Sequence, residues 1–337
     1  MSARAQGVEV GYAPLVAALA ALTLVAALAS LTVGYARLDV AAALADAFAG
    51  RSTVAALVFE QIRLPRAALG AMVGFSLGLA GAALQGLLRN PLADPGVIGV
   101  SGGAAFGAVA VFYSGLAGVF ALAMPLGGVA GAIVAALLLY GLAGRGAGTM
   151  TLILAGVTIN SFAGALTALA LNLSPNPYAA YEIMFWLMGS LADRSLPQLW
   201  LALPLMLVGW ALLLSSAPAL DALTLGEDTA MSLGFDLKRL RLTLVAGSAL
   251  AVGGAVAVTG AIGFVGLVVP HLLRPLVGHR PGRLLLVSGL GGAIALLVAD
   301  IAVRLLPIHP ELKLGVVTAL IGAPFLLLLI DRLRREV

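Results

Sequence analysis

Long apolar blocks alternate with short polar segments along almost the whole chain. Many of these blocks contain about 20 residues, the length at which an α-helix crosses the hydrocarbon core of a bilayer. We predict about ten membrane-crossing helices, and an even number places both termini on the same side. The eighth contains Pro270 and is short, so it need not cross completely. The ten lie near residues 14–35, 64–87, 93–113, 119–143, 149–171, 196–215, 240–260, 264–276, 283–305 and 313–331.

Composition places this apolar surface in lipid. Hydrophobic residues make up 61% of the 337 positions and charged residues only 10%, whereas a soluble domain is roughly one quarter charged. The net charge of +4 is distributed between the apolar blocks, which argues against nucleic-acid binding. With no cysteine and three scattered histidines, we expect no metal site and no cofactor. The predicted fold class is all-α, a polytopic membrane protein with residues 1–337 in one transmembrane domain.

The basic residues predict how the helices are oriented. With a cytoplasmic N terminus, 12 of the 19 lysines and arginines fall on the inner side, as the positive-inside rule expects. The inner group is Arg4, Arg89, Arg145, Lys238, Arg239, Arg241, Arg274, Arg280, Arg283, Arg332, Arg334 and Arg335. The outer group is Arg37, Arg51, Arg63, Arg66, Arg194, Arg304 and Lys313. Arg63, Arg66 and Arg304 oppose the rule and need another reason to be there.

Glycines recur every fourth residue in two of the predicted helices. This spacing forms a flat stripe on one helix face, so that a neighbouring backbone can approach closely. We therefore predict a compact bundle. The stripes are Gly70, Gly74 and Gly78, and Gly99, Gly103 and Gly107.

The longest run that water could accept throughout is residues 221–241. Its pattern predicts two short helices. Asp221 is expected to cap the first, Gly226 to end it, Glu227 to lie at the start of the second, and Gly234 to end that one. On the basic side of a membrane protein, such an element suggests a docking surface for a soluble partner. A solvated loop with some helix is the alternative.

Motifs for chemistry within the chain are missing from the sequence. It contains no GxxxxGK(S/T) phosphate loop, no dinucleotide-binding glycine fingerprint, no HExxH and no GxSxG, so the chain does not look like an enzyme. Among the few intramembrane polar residues, Asp300 is the carboxylate that approaches mid-depth. Arg304 follows four residues later on the same helix face, which predicts a self-neutralising pair rather than an ion relay.

Two longer segments, 36–63 and 172–195, are predicted outside the membrane. The second contains a short helix around residues 181–189 that does not cross. This helix either lines a vestibule or covers the bundle as a lid. Tyr178, Tyr181 and Met184 could contact a ring system there, and an aromatic belt at the interface explains them equally.

Several long motifs in order resemble the permease family of ABC importers for vitamin B12, ferric siderophores and haem, the type II importers. They are RLPRAALGAMVGFSLGLAGAALQGLLRNPLADPGVIGVSGGAAFGA, LILAGVTI, FWLMGSL, DALTLGEDTAMSLG, GAIGFVGLVVPHLLR, LLVADIAVRL and LKLGVVTALIGAPFLLLLI. The resemblance covers nearly the whole chain. It implies ten spans per subunit, a homodimer with the path on its two-fold axis, cytoplasmic ATP-binding subunits and a periplasmic substrate-binding protein. It also implies the cell inner (cytoplasmic) membrane, with both termini cytoplasmic.

The same resemblance assigns roles to individual residues. The segment 219–236 matches the ATPase-coupling element, with Asp221, Leu223, Leu225, Gly226, Glu227 and Gly234. Three arginines match those that pair with carboxylates of the binding protein, namely Arg63, Arg66 and Arg304. Expected contributors to the translocation path are Leu154, Asn160, Met184 and Trp186.

The expected cargo is a metal chelate, namely a ferric siderophore, haem or cobalamin. The number of such permeases in the family favours a ferric chelate. The alternative classes are an ion-coupled secondary transporter or channel, which would need its own coupling carboxylates or gate, and a membrane receptor or structural subunit without substrate flux.

Overall fold

The computed structural model describes residues 11–34, 39–143, 148–174, 177–308 and 310–335. The inner-side Arg4 and Arg145 and the outer-side Arg37 lie outside these ranges. Every regular element within them is helical. The α-helices are α1 Tyr12–Thr32, α2 Val40–Phe48, α3 Val54–Val58, α4 Leu64–Leu88, α5 Val100–Tyr113, α6 Ala123–Ala143, α7 Thr149–Asn172, α8 Pro177–Leu187, α9 Leu196–Ser215, α10 Ala217–Leu223, α11 Glu227–Ser232, α12 Leu237–Thr259, α13 Val265–Leu273, α14 Pro281–Leu305 and α15 Leu314–Arg335.

Seven helical stretches in the described part of the chain are long and apolar enough to cross a bilayer. They are Tyr12–Thr32, Val54–Leu88, Ala123–Leu142, Met150–Asn172, Leu196–Ser215, Leu237–Thr259 and Pro281–Leu305. Shorter apolar helices, Val100–Tyr113, Val265–Val277 and Leu314–Leu329, occupy three other predicted spans. The all-helical membrane fold is therefore confirmed, and the count of about ten crossings stays a prediction.

The segment 36–63, predicted to lie outside the membrane, is largely helical where the structure describes it, and its position relative to the membrane stays a prediction. Within the described residues this segment contains α2 and α3, and α3 continues through a π-helical turn, Phe59–Arg63, into α4. Thr53 starts α3 by accepting the N–H of Ala56. Pro65 has no N–H to donate, and the π turn carries the helix up to it with a wider hydrogen bond from Leu64 to Phe59. The helix therefore starts before residue 64, where the predicted span began.

The predicted glycine stripe on α4 packs directly on α14. A Cβ atom at Gly78 would overlap the carbonyl oxygen of Ser288, and one at Gly74 would overlap that of Gly292. The two backbones therefore touch without side chains between them. The second stripe does the same, since Gly107 faces Gly127 of α6. The prediction of close helix packing is confirmed at both stripes.

Helices α4 and α14 run antiparallel and define the two ends of the molecule. At one end Arg66 of α4 bonds to Asp300 of α14, and we call this the arginine end. At the other end Gly86 lies against Leu220 of α10 and Pro281 of α14, and we call this the coupling end.

A backbone break separates α12 from α13, in the stretch where the sequence predicts glycine and proline to disrupt a helix. Gly260 and Phe264 have positive φ angles of 75° and 67°. The break is covered by protein, because Ser190 donates its N–H to Thr259 at 2.8 Å and the carbonyl of Trp186 lies against Gly260. Non-helical backbone at membrane depth requires such cover.

Candidate functional site

The segment 219–236 that the resemblance assigns to coupling, called the coupling element below, contains two short helices, α10 and α11, as the sequence predicts. Gly226 separates them with φ 113° and ψ 154°, a conformation that glycine adopts at no steric cost. Glu227 opens α11, where its negative charge suits the helix N-terminus. Gly234 follows α11 with φ 90°. The chain thus turns sharply twice within this element.

Asp221 does not cap α10, so that part of the prediction is wrong. The N-cap of α10 is Ser216, and Asp221 lies inside the helix. Its Oδ1 atom accepts the N–H of Gly282 at 2.7 Å, and this N–H belongs to the first turn of α14. The side chain therefore satisfies a free backbone donor of another helix. Asp221 fastens the coupling element to α14.

The residues assigned to coupling divide into a buried and an exposed group. Leu223 is buried, with 3% of its surface exposed, and packs within the protein. Leu225 is 65% exposed, and Met231 and Leu233 are also exposed. Arg241 of α12 pairs with Glu227 at 3.1 Å. The element therefore presents apolar side chains to solvent while its base is anchored.

The three arginines that oppose the charge rule meet at the arginine end, and all are buried. Arg66 donates to Asp300 at 2.9 Å and to Glu311 at 2.7 Å. Arg304 also pairs with Asp300 at 2.9 Å, as the four-residue spacing predicts. Three arginines and two carboxylates leave one net positive charge in the cluster.

Two of these arginines also hold the end of α1. Arg63 donates to the carbonyls of Leu31 at 2.7 Å and Thr32 at 2.9 Å. Arg304 donates to the Ser30 carbonyl at 2.8 Å. Cations at a helix C-terminus satisfy its free carbonyls and suit its dipole. The cluster therefore joins α1, α4 and α14.

An open cleft of about 480 Å³ lies over the arginine cluster. Charged side chains of both signs reach it, and Glu311 and Lys313 come from the segment before α15. Burial lowers the pKa of Arg194, which follows the cleft residue Asp193, and the nearby Asp193 carboxylate opposes that shift. The polar lining residues are Arg63, Arg66, Asp193, Arg304, Glu311 and Lys313.

The residues assigned to the path lie on two helices. Leu154 and Asn160 are exposed on α7, and Asn160 packs against Gly102 of α5. On α8, Met184 is 44% exposed and Trp186 is half-buried. A cleft of about 590 Å³ lies next to the end of α8 and is lined by Leu187, Met188, Ala261, Gly315, Val316, Ala319, Leu320, Ala323 and Pro324. The four assigned residues are not among its lining.

Comparison with known proteins identifies the family. Residues 22–332 match the FecCD transport family. The chain belongs to this family. Among its relatives, the cobalamin import system permease protein BtuC of Halobacterium salinarum is 40% identical over 282 residues, covering 83% of this chain and 75% of the relative. The vitamin B12 import system permease protein BtuC of Vibrio cholerae is 40% identical over 279 residues, covering 82% of this chain and 83% of the relative.

A solved structure agrees with the family assignment. It is described as an inward-facing conformation of a transporter assigned to the metal-chelate type of ABC transporter. It matches this FecCD protein with a TM-score of 0.82 and 32% identity, over 95% of this chain and 99% of that chain. This FecCD protein is therefore a permease subunit of an ABC importer and not an enzyme. Such permeases work with ATP-binding subunits and a substrate-binding protein.

Sequence reasoning missed two side-chain contacts of this FecCD permease. Glu311 pairs with Arg66 across 245 positions of the chain, a separation that no local pattern reveals. The contact between Gln85 and Arg274, 189 positions apart, was also not predicted. Arg274 donates to the Gln85 Oε1 atom at 2.5 Å, and the Gln85 Nε2 atom donates to the carbonyl of Leu267 at 3.2 Å. Gln85 thus ties α4 to α13 next to the break.

Proposed function

We propose that this chain is the homodimeric membrane permease of a type II importer that brings cobalamin into the cytoplasm. The observation that carries the substrate is the set of relatives named for cobalamin or vitamin B12 import, which are about 40% identical over four fifths of the chain. Cobalamin replaces the ferric chelate that family numbers favoured. The location we propose is the cell inner (cytoplasmic) membrane, with both termini cytoplasmic.

The proposed source of energy is an ATP-binding subunit that grips the coupling element. Leu225, Met231 and Leu233 offer exposed apolar side chains of the kind that fill a pocket on a partner. Gly226 and Gly234 set the angle of α11, and Glu227 remains half exposed beside Arg241. Asp221 and Leu223 act from within, by holding the element to the permease body.

The proposed docking site for the substrate-binding protein is the cleft at the arginine end. Arg63, Arg66 and Arg304 line it, and the cluster carries a net positive charge. Carboxylates on the two lobes of the binding protein would meet this charge. The guanidinium groups are already bonded within the permease. The positive charge of the cluster is therefore expected to act mainly by steering and orienting the approaching binding protein.

The proposed path lies where α7 and α8 face a second copy of the chain. Leu154 is 57% exposed and Met184 is 44% exposed, although both belong to helices within the bundle. Asn160 adds a polar group on α7, and Trp186 on α8 is half-buried. A mostly apolar, weakly binding surface suits a large amphipathic cargo, since tight binding would slow release.

Transport in reconstituted vesicles tests this function. The permease, its ATP-binding subunit and its binding protein are incorporated together, and labelled cobalamin and a labelled ferric siderophore are supplied in separate experiments. We expect accumulation of cobalamin that requires both ATP and the ATP-binding subunit. Accumulation of the siderophore without accumulation of cobalamin would refute cobalamin as the substrate. Uptake driven by an ion gradient without the ATP-binding subunit would indicate a secondary transporter instead.

The orientation has an independent test, because the chain contains no cysteine. Single cysteines at Ser232 in α11 and at Ser52 before α3 are both exposed to label. In sealed cells, an impermeant thiol reagent should label the Ser52→Cys variant and spare the Ser232→Cys variant. The reverse pattern would overturn the proposed topology.

A further inference from the structure

A second polar cleft lies at the coupling end. It encloses about 500 Å³ between the end of α9, the start of α10 and the start of α12. Helices α9 and α12 both belong to candidate membrane spans, so this cleft lies where two spans end. The lining residues are Leu212, Ser215, Ser216, Pro218, Ala219, Gly234, Phe235, Asp236, Arg239, Leu240 and Thr243.

The polar groups of the cleft are arranged to receive an anion. Arg239 and Thr243 are one helical turn apart on α12. Ser215 comes from the last turn of α9, and its hydroxyl donates to the Leu212 carbonyl at 2.8 Å, so it lines the cleft without a free proton to donate. Arg241 pairs with Glu227, whereas Arg239 has no carboxylate partner among the described residues. A guanidinium beside the Thr243 hydroxyl is a favourable setting for a phosphate group.

Asp236 is the one carboxylate in the lining of this cleft. Its Oδ1 atom accepts the N–H groups of Lys238 at 2.9 Å and Arg239 at 3.1 Å. The carboxylate is therefore occupied in capping α12, and these two donors partly offset its charge. It leaves the Arg239 side chain available.

The surface next to the cleft is apolar. Leu207 and Val208 on α9 and Leu242 on α12 are each about half exposed. These helices are spans, so acyl chains cover such side chains in a bilayer. A ligand that joins a phosphate group to acyl chains matches both parts of the site. Basic pockets between helices at this depth bind anionic lipid head groups.

We propose that this cleft is a binding site for one anionic phospholipid, with Arg239 and Thr243 holding the phosphate and Ser215 lining the space beside it. The acyl chains lie along Leu207, Val208 and Leu242. The bound lipid fills the space between α9 and the base of the coupling element. The site stands apart from the transport proposal, because it depends only on the position of the cleft at the membrane boundary.

Binding at this cleft is measured as the amount of lipid that the full-length permease retains in detergent. Phosphatidylglycerol and phosphatidylcholine are added in turn, and bound lipid is counted by native mass spectrometry. We expect Arg239→Gln to reduce phosphatidylglycerol binding by about five-fold or more. The matched control is Lys238→Gln, which removes the same charge one residue away and lies outside the cleft lining. It should bind as the unmodified protein does.

A second variant keeps the charge and fills the space. Ser215→Phe should exclude phosphatidylglycerol as Arg239→Gln does, and Ser215 is exposed, so the fold should tolerate the change. Equal loss in the Arg239 and Lys238 variants would refute the site. If inorganic phosphate competes for the cleft as strongly as phosphatidylglycerol does, the assignment of the site to a lipid would be overturned. Displacement of the lipid by the ATP-binding subunit would identify the cleft as a protein interface and would also refute it.

Discussion

Asp300 is the residue on which the buried charge at the arginine end depends. Its side chain is fully buried and contacts both Arg66 and Arg304 at 2.9 Å. The cost of burying a charge is recovered only while its partner is present. Glu311 is a weaker partner, because it contacts Arg66 alone and retains some exposure to solvent.

We therefore expect Asp300→Asn to destabilise the permease strongly, by about 3 kcal/mol or more, because it leaves two buried arginines with one carboxylate. Glu311→Gln should cost about 1 kcal/mol, since its pair is partly solvated. Thermal unfolding of the two purified variants in the same detergent compares them. Equal melting temperatures would show that Asp300 is not the main counter-charge.

Local sequence predicted some of these residue contacts and missed others for a physical reason. The Asp300–Arg304 pair follows from helix geometry, because four residues make about one turn. The Arg66–Glu311 contact depends on how α4 and the segment before α15 fold together. Asp221 was misassigned for the same reason. A capping residue can serve any helix end within reach, and the nearest end in sequence was not the one it caps.

Among the elements, α14 connects the two ends of the molecule. Its first turn donates to Asp221 of the coupling element, and its last turns carry Asp300 and Arg304. The glycine contacts with α4 restrain it along its length. Displacement of α10 at the coupling end is therefore expected to reach α14 through the Asp221–Gly282 hydrogen bond.

We expect Asp221→Ala to reduce the cobalamin transported per ATP hydrolysed, while the assembled complex keeps its ATP hydrolysis. Loss of the cap should lower stability by only about 1 kcal/mol. Asp221→Asn retains an oxygen acceptor and should restore most of the coupling. Asp39→Ala, which removes a carboxylate cap from α2 outside the coupling element, is the control. If ATP hydrolysis and transport fall together in Asp221→Ala, the residue matters only for assembly.

Helices with a clear pattern were predicted well, and the irregular ones were not. The glycine stripes and the two short coupling helices appear in the structure as expected. Helical structure at residues 54–63 was missed, because the predicted span began at residue 64 and the segment before it was placed outside the membrane. A π turn ending just before the proline allows the helix to continue through it, and such a turn has no signature in apolar spacing.

Across the whole molecule, the coupling element and the arginine cleft lie at opposite ends of the α4–α14 pair. Lys313 is half-buried at the arginine cleft, where its Nζ atom lies 5.6 Å from the ring centre of Phe185. Lys238 is exposed at the coupling end. The same change of charge can therefore be made at either end.

We expect Lys313→Glu to slow association with the substrate-binding protein by about ten-fold at low salt, and the difference should shrink as salt increases. Lys238→Glu should leave this rate unchanged, because it lies at the other end. Stopped-flow mixing of the binding protein with vesicles that contain each permease variant measures both association rates. A similar slowing in both variants would indicate an effect of net charge, and the cleft would lose its assignment as the docking site.

The contact of α4 with α14 also limits how the protein can change shape. Where two backbones touch, no side chain can change rotamer to accommodate sliding, so we expect this pair to move as one rigid rod. Alternating access then falls to helices held less closely. Helix α7 of the proposed path is one of these, because a side chain at Gly164 would meet no neighbouring atom among the described residues, and this helix can tilt while the rod stays fixed.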